Sequence, residues 1–166
     1  PRRAVRAVRR LTGDGAEERV IRAALAAAPI PESPKRHALT HGDWHLGQLL
    51  QLPDSSGRAR WLLIDIDDLG LGDPAWDLSR PAAWYAAGLL APADWERFLR
   101  SYRDAGGTAV GDDPWPALDL PAQAVTAQLA AVAVAAARRE SRELDEVEYA
   151  LIEACNRIVG LPRKLT

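Results

Sequence analysis

Leu49-Leu50-Gln51-Leu52, then Pro53-Asp54-Ser55-Ser56-Gly57, then Trp61-Leu62-Leu63-Ile64 is the stretch that decides the fold. A short apolar run, a cluster of turn formers and a second apolar run predict a β-hairpin. Its outer ends lead into polar loops. Before it stands Thr40-His41-Gly42-Asp43-Trp44-His45-Leu46-Gly47-Gln48, and after it Asp65-Ile66-Asp67-Asp68-Leu69-Gly70-Leu71-Gly72-Asp73-Pro74-Ala75-Trp76-Asp77-Leu78. Closing the hairpin lays these acid- and histidine-bearing loops side by side.

Everything outside this centre reads as helix. Arg2–Leu11 has helical composition, and Asp14-Gly15 is a start signal for Ala16–Ala28, where Val20, Ile21, Ala24, Leu25 and Ala28 mark one apolar face. Pro29, Pro31 and Pro34 make a stiff linker. Pro74–Leu89 reads as a helix that Pro81 kinks or breaks. Ala93–Ala105 reads as another, closed by Gly106-Gly107. A corner at Pro114, Pro116 and Pro121 precedes an Ala-rich helix over Ala122–Arg139, small nearly all round and so packed on several sides. A last helix runs from Leu144 to Val159, stopped by Gly160 and Pro162. The expected fold is mostly α with one small hairpin, an α+β arrangement.

Composition narrows the function. The 166 residues carry a formal net charge of -2, so no global basic field exists to hold a nucleic-acid backbone. The single cysteine, Cys155, excludes an intrachain disulfide framework and a cysteine-based zinc site. The most apolar stretch, Leu129 to Ala137, is too short to span a bilayer, so no membrane partner and a cytoplasmic location are expected. Five arginines in the first ten residues read as the solvated face of a helix, or else as an anion-binding arm. The absence of Met and an opening on Pro1 read as a segment of something longer.

An Asp on a tight loop, a carboxamide five residues later and an Asp ending a nearby strand suit phosphoryl transfer. One carboxylate receives the proton of an attacking hydroxyl, and hard oxygens hold magnesium against phosphates. Asp43, Gln48 and Asp65 have that arrangement.

Here the sequence resembles the aminoglycoside phosphotransferase and choline kinase superfamily, a branch of the protein-kinase-like fold. Its catalytic loop, His-Gly-Asp-x-His-x-x-Asn, is matched by His41-Gly42-Asp43-Trp44-His45. Its magnesium strand is matched by Ile64-Asp65-Ile66-Asp67, and its Gly-Asp-Pro-x-x-Asp-Leu block by Gly72-Asp73-Pro74-Ala75-Trp76-Asp77-Leu78. The close resemblance runs from Leu39 to about Leu90. It implies Asp43 as catalytic base, Asp65 as main magnesium ligand with Gln48 the second, and Asp67 at a second metal. His41, His45, Asp73 and Asp77 would support the catalytic loop. Gln48 stands where the family has Asn, as in maltokinase-like members with His-x-Gly-Gln. Trp44 and Trp115 are candidates to stack on substrate, with core packing as the alternative.

No Gly-x-Gly-x-x-Gly occurs, and the only lysines are Lys35 and Lys164. The chain therefore reads as the helical C-terminal lobe of a kinase-like phosphotransferase. Within it, 1–34 is a helical lead-in and linker, 35–90 carries the catalytic and metal loops, and 91–166 is a helical subdomain. The resemblance implies a magnesium-dependent transfer from ATP or GTP to a hydroxyl of a small molecule: an aminoglycoside, amino sugar, sugar or amino alcohol. The acidic loops favour a cationic or polyhydroxylated acceptor. Without the N-terminal lobe of the same protein, the isolated lobe is expected to be inactive and to self-associate through its exposed lobe interface. The alternative is a non-catalytic kinase-like module that binds a ligand or protein.

Three other readings compete. Gly70-Leu71-Gly72-Asp73-Pro74-Ala75 fits a loose dinucleotide fingerprint, but Asp73 would face the pyrophosphate. Leu62 to Asp67 resembles the first motif of haloacid-dehalogenase phosphatases, which need a parallel sheet and a later lysine. His37, His41, Asp43 and His45 form a zinc-like cluster, though alternate residues of a loop rarely converge on one ion.

Overall fold

The computed structural model describes residues 2–31 and 37–161. Pro34, Pro162 and both lysines lie outside them. The elements run α1 (Arg2–Arg10), α2 (Ala16–Ala27), β1 (Ala38–Thr40), β2 (Leu49–Pro53), β3 (Ala59–Leu63), β4 (Gly70–Gly72), α3 (Ser79–Ala86), α4 (Pro92–Asp104), α5 (Trp115–Glu140) and α6 (Glu146–Gly160). Single 3₁₀ turns occupy Leu46–Gln48, Ile66–Asp68 and Pro74–Trp76. The fold is mostly helical with a small antiparallel hairpin, as the sequence predicts.

The hairpin is β2–β3, paired from Leu49 opposite Leu63 to Pro53 opposite Ala59. Asp54 builds its turn: the carboxylate accepts from the Ser56 hydroxyl at 2.6 Å and from the backbone N–H of Ser56 and Arg58 at 2.8 and 2.9 Å. These bonds, led by that of Ser56, hold the Asp54 carboxyl below its ordinary range. Gly57 takes the left-handed conformation at φ 78°, which glycine adopts without steric cost.

Three expectations need correction. A second antiparallel pair, β1–β4, joins Ala38–Thr40 to Gly70–Gly72, where the sequence suggested only loop. Pro74–Leu89 is not one helix: a 3₁₀ turn gives way at Asp77-Leu78 to α3, so Pro81 falls in the first turn of α3, where a missing N–H is harmless. The helix placed at Ala122 begins seven residues earlier. Pro116 sits in its first turn, and Pro121 lies inside it, buried beside Leu118 and Ala122. Burial of that face outweighs the one backbone hydrogen bond that Pro121 cannot make.

By length and composition α5 would cross a bilayer, but 56% of its most apolar window is buried in this fold. It is the central helix, packed against α1, α2, α3 and α6. Ala124, Ala127, Ala130, Ala131 and Ala137 are buried along it. Side chains this small let several helices approach one axis. One core cluster joins α5 to α2 and α6 through Ile21, Val134, Ile152 and Cys155. A second joins its first half to α3 and α4 through Ala82, Trp95, Leu99 and Leu118, and a small third one joins Ala124 to Ala4 of α1 and to Ala28. Burial pushes the Cys155 thiol up to about 12, so it stays an inert packing group. Asp145 caps α6 in a reciprocal capping box with Glu148.

Candidate active site

The hairpin register is what assembles the site. Pairing continues one step past the strands, with the Ile64 N–H donating to the Gln48 carbonyl at 2.9 Å. Gln48 and Asp65 thereby become neighbours, and Gln48 Nε2 donates to Asp65 Oδ2 at 2.8 Å. Gln48 is buried and Asp65 exposed. Asp65 is left-handed at φ 57° and ψ 55°, one of two non-glycine residues with positive φ among those described. Such a conformation costs an L-residue on the order of 1 kcal/mol or more and concentrates at functional sites.

The loop after β1 is held from behind. Buried His41 donates from Nε2 to the Ile64 carbonyl at 2.9 Å, while its buried Nδ1 has no partner. Asp77 accepts the backbone N–H of His41 at 2.7 Å and that of Gly42 at 2.9 Å. Gly42 has φ 84°, and a Cβ there would lie 2.7 Å from the Asp68 carbonyl oxygen. Only glycine lets the two loops approach this closely. Asp73 caps the Pro74–Trp76 turn by accepting from the Ala75 N–H.

Asp43 lies just beyond this clamp and is mostly buried. Its Oδ1 pairs with Arg80 Nη2 at 2.7 Å, and its Oδ2 pairs with Arg3, which also reaches Asp68. His45 Nε2 stands 4.0 Å from the same carboxylate. Since His45 Nδ1 accepts from the Gly47 N–H, the proton of the neutral ring sits on Nε2, facing Asp43. Burial first, then the Arg80 charge, holds the His45 pKa below its ordinary value.

The structure thus groups His41, Asp43, His45, Gln48, Asp65 and Asp77, but it separates other candidates. Asp67 is exposed on its 3₁₀ turn, and no hydrogen bond or ion pair joins it to Gln48 or Asp65. Trp44 is half-buried, 6.0 Å from Phe98, and lines a small cleft beside Asp43 with Trp76, Arg80 and Gln128. Trp115 is outside that cleft. It packs between Tyr85 and Trp95, each 6.0 Å away, in an aromatic cluster that Trp95 and Phe98 extend to Trp44. A larger cavity of about 320 Å³ at the α5–α6 corner, lined by Val134, Leu144 and Tyr149, holds none of these residues.

Arg3 and Arg80 are the residues that sequence reasoning missed. Arg80 follows Asp77 by three positions, a helical spacing that puts both at the loop they serve. With two of its acids paired to arginine, this is not the bare acidic cleft the sequence suggests.

Among the described residues no three His, Cys, Asp or Glu side chains form a ready metal cage. Magnesium does not require one, because it commonly takes one or two protein oxygens and completes its shell with phosphate and water. The Asp65 carboxylate and the Gln48 carboxamide fit that role once the amide turns over to present Oε1 in place of Nε2.

Residues 1–121 match the APH family, the phosphotransferase enzyme family. The match covers most of the chain, which belongs to that family. No curated protein and no solved structure matches it.

Proposed function

We propose that this chain supplies the catalytic and metal loops of a magnesium-dependent kinase that moves the γ-phosphoryl group of ATP or GTP to a hydroxyl of a small molecule. The observation that carries this reading is the 2.8 Å contact of Gln48 with Asp65, made by the hairpin register beside a clamped Asp43 loop. Asp43 orients the acceptor hydroxyl and takes its proton as the new O–P bond forms. Arginines pair with both of its oxygens and fix the carboxylate in place, and a loose transition state asks little of the base because the proton leaves late. Asp65 and Gln48 hold magnesium, which spreads the charge of the phosphate oxygens when bound. Asp77 and His41 keep the loop in position.

The nucleotide's phosphate loop and lysine belong, in this proposal, to an N-terminal lobe of the same protein. Leu39, Leu46, Trp61 and Leu71 are 61–78% exposed around the hairpin and β1–β4, an apolar face suited to that lobe. Left uncovered, it favours self-association.

The double arginine pairing of Asp43 favours a second reading, a kinase-like module that binds without catalysis. Phosphotransfer by the full-length protein, with and without magnesium, separates the two. Asp43→Asn and Asp65→Ala should each abolish turnover while the fold stays intact. Undiminished turnover in either variant refutes the corresponding role, and no turnover in the wild type over a broad acceptor panel favours the binding module.

A further inference from the structure

We infer that Arg3 is a latch on Asp43, which keeps this carboxylate from activating water until an acceptor displaces the arginine, and so suppresses wasteful hydrolysis of ATP. The inference rests on the phosphotransferase reading and adds a control on the same site. Both oxygens of Asp43 are engaged, Oδ1 by Arg80 and Oδ2 by Arg3. The cleft beside them, about 20 Å³ and lined in part by Arg3, Trp44 and Trp76, has room for about one water. No hydroxyl carried on a carbon skeleton reaches Asp43 while this arrangement stands, so one arginine must yield.

Arg3 is the one that yields at least cost. It meets its two acids through different nitrogens, Nη1 on Asp43 and Nε on Asp68. The side chain can therefore swing off Asp43 while Asp68 keeps its charge paired. Arg80 pairs with Asp43 alone among the described residues, so its departure would strand a charge. The Arg3 side chain is also the more exposed, 37% against 23%. Two guanidiniums and two carboxylates cancel, so charge alone draws no ligand to the latched site. An acceptor opens the latch with its hydroxyl bond to Asp43 and the contacts of its skeleton, whereas water brings only the hydrogen bond. With the latch gone, water takes the acceptor's place. Its oxygen bonds to the γ-phosphorus, the bond to the β–γ bridging oxygen breaks, ADP leaves, and Asp43 takes the water's proton.

The test needs no known acceptor. Full-length protein is given ATP and magnesium alone, and phosphate release is followed in wild type, Arg3→Gln, Asp43→Asn and the double variant. Arg3→Gln should release phosphate roughly fivefold faster than wild type, the loss of one partly exposed ion pair read as a rate. The double variant should lose that increase, because the water's proton goes to Asp43. The contact itself is read without turnover, in thermal melts of the same four proteins. The double variant should lose less melting temperature than the two single variants together. Additive melts, release from Arg3→Gln no faster than from a wild type that does turn over, or an increase that survives Asp43→Asn each overturn the latch. No release or transfer by wild type and Arg3→Gln alike, with the melts non-additive, instead refutes the phosphotransferase reading and takes the latch's function with it.

Discussion

Asp77 Oδ2 accepts the backbone N–H of His41 at 2.7 Å across 36 residues of sequence. The second oxygen takes the next N–H, so one carboxylate fixes two consecutive peptide groups at the base of the Asp43 loop. Asp77→Ala strands both donors and should lower stability by about 2–4 kcal/mol in denaturant melts. Asp77→Asn keeps one acceptor and should lose about half of that. A melt unchanged by Asp77→Ala would show that the loop holds itself.

Asp65 combines a metal-ligand candidate with an unfavourable backbone. Asp65→Gly and Asp65→Ala both remove the acceptor for Gln48, but only glycine occupies φ 57° without strain. The glycine variant should therefore be more stable than the alanine variant by about 1 kcal/mol, while both lose magnesium-dependent transfer. Equal melting of the two would mean that the loop relaxes out of the left-handed region.

Gln48 tests the metal shell by length and by chemistry. Gln48→Asn retains an amide oxygen on a shorter stem and should keep part of the activity. Gln48→Leu fills the buried position with no oxygen and should lose nearly all of it. Its melt should stay within about 1 kcal/mol of wild type, since Asp65 remains open to water. Full activity in Gln48→Leu would show that the side chain never reaches the metal.

Arg142 holds Glu148 with two bonds of 2.7 Å, and this pairing, aided by the Asp145 N–H, pulls the Glu148 carboxyl down to about 2. A carboxyl depressed from about 4.5 contributes stability that is fully present above pH 4.5. The contribution fades as pH falls toward 2. Thermal melts of wild type and Glu148→Gln should differ at pH 6, with wild type higher, and converge in that acid window. A gap that persists at pH 2 would assign the effect to the α6 cap alone.

The sequence reading succeeded where local signals were strong. The Pro53–Gly57 turn announced the hairpin, and the i, i+3, i+4 pattern of Ile21, Ala24 and Ala28 placed the buried face of α2. It failed where tertiary packing overrides local preference. β1 and β4 are three residues each, and β4 is Gly-Leu-Gly, so neither has strand character of its own. Pro121 argued against a helix that burial maintains. Arg3 and Arg80 meet Asp43 across 40 and 37 positions, and in an arginine-rich chain nothing local distinguished them from their neighbours. Gln48 beside Asp65 was legible because a hairpin converts a separation of 17 residues into contact.

The aromatic cluster gives the protein an optical signature of its own. Tyr85, Trp95 and Trp115 lie within 5.3–6.0 Å of one another, from three different helices. Transition dipoles held so close and so nearly fixed couple, and they produce an intense near-ultraviolet circular dichroism band. That band exists only while α4 is seated on α3 and α5. If α4 detaches, the band collapses while the far-ultraviolet helix signal persists, so loss of tertiary order in this half of the molecule is visible without any attached label.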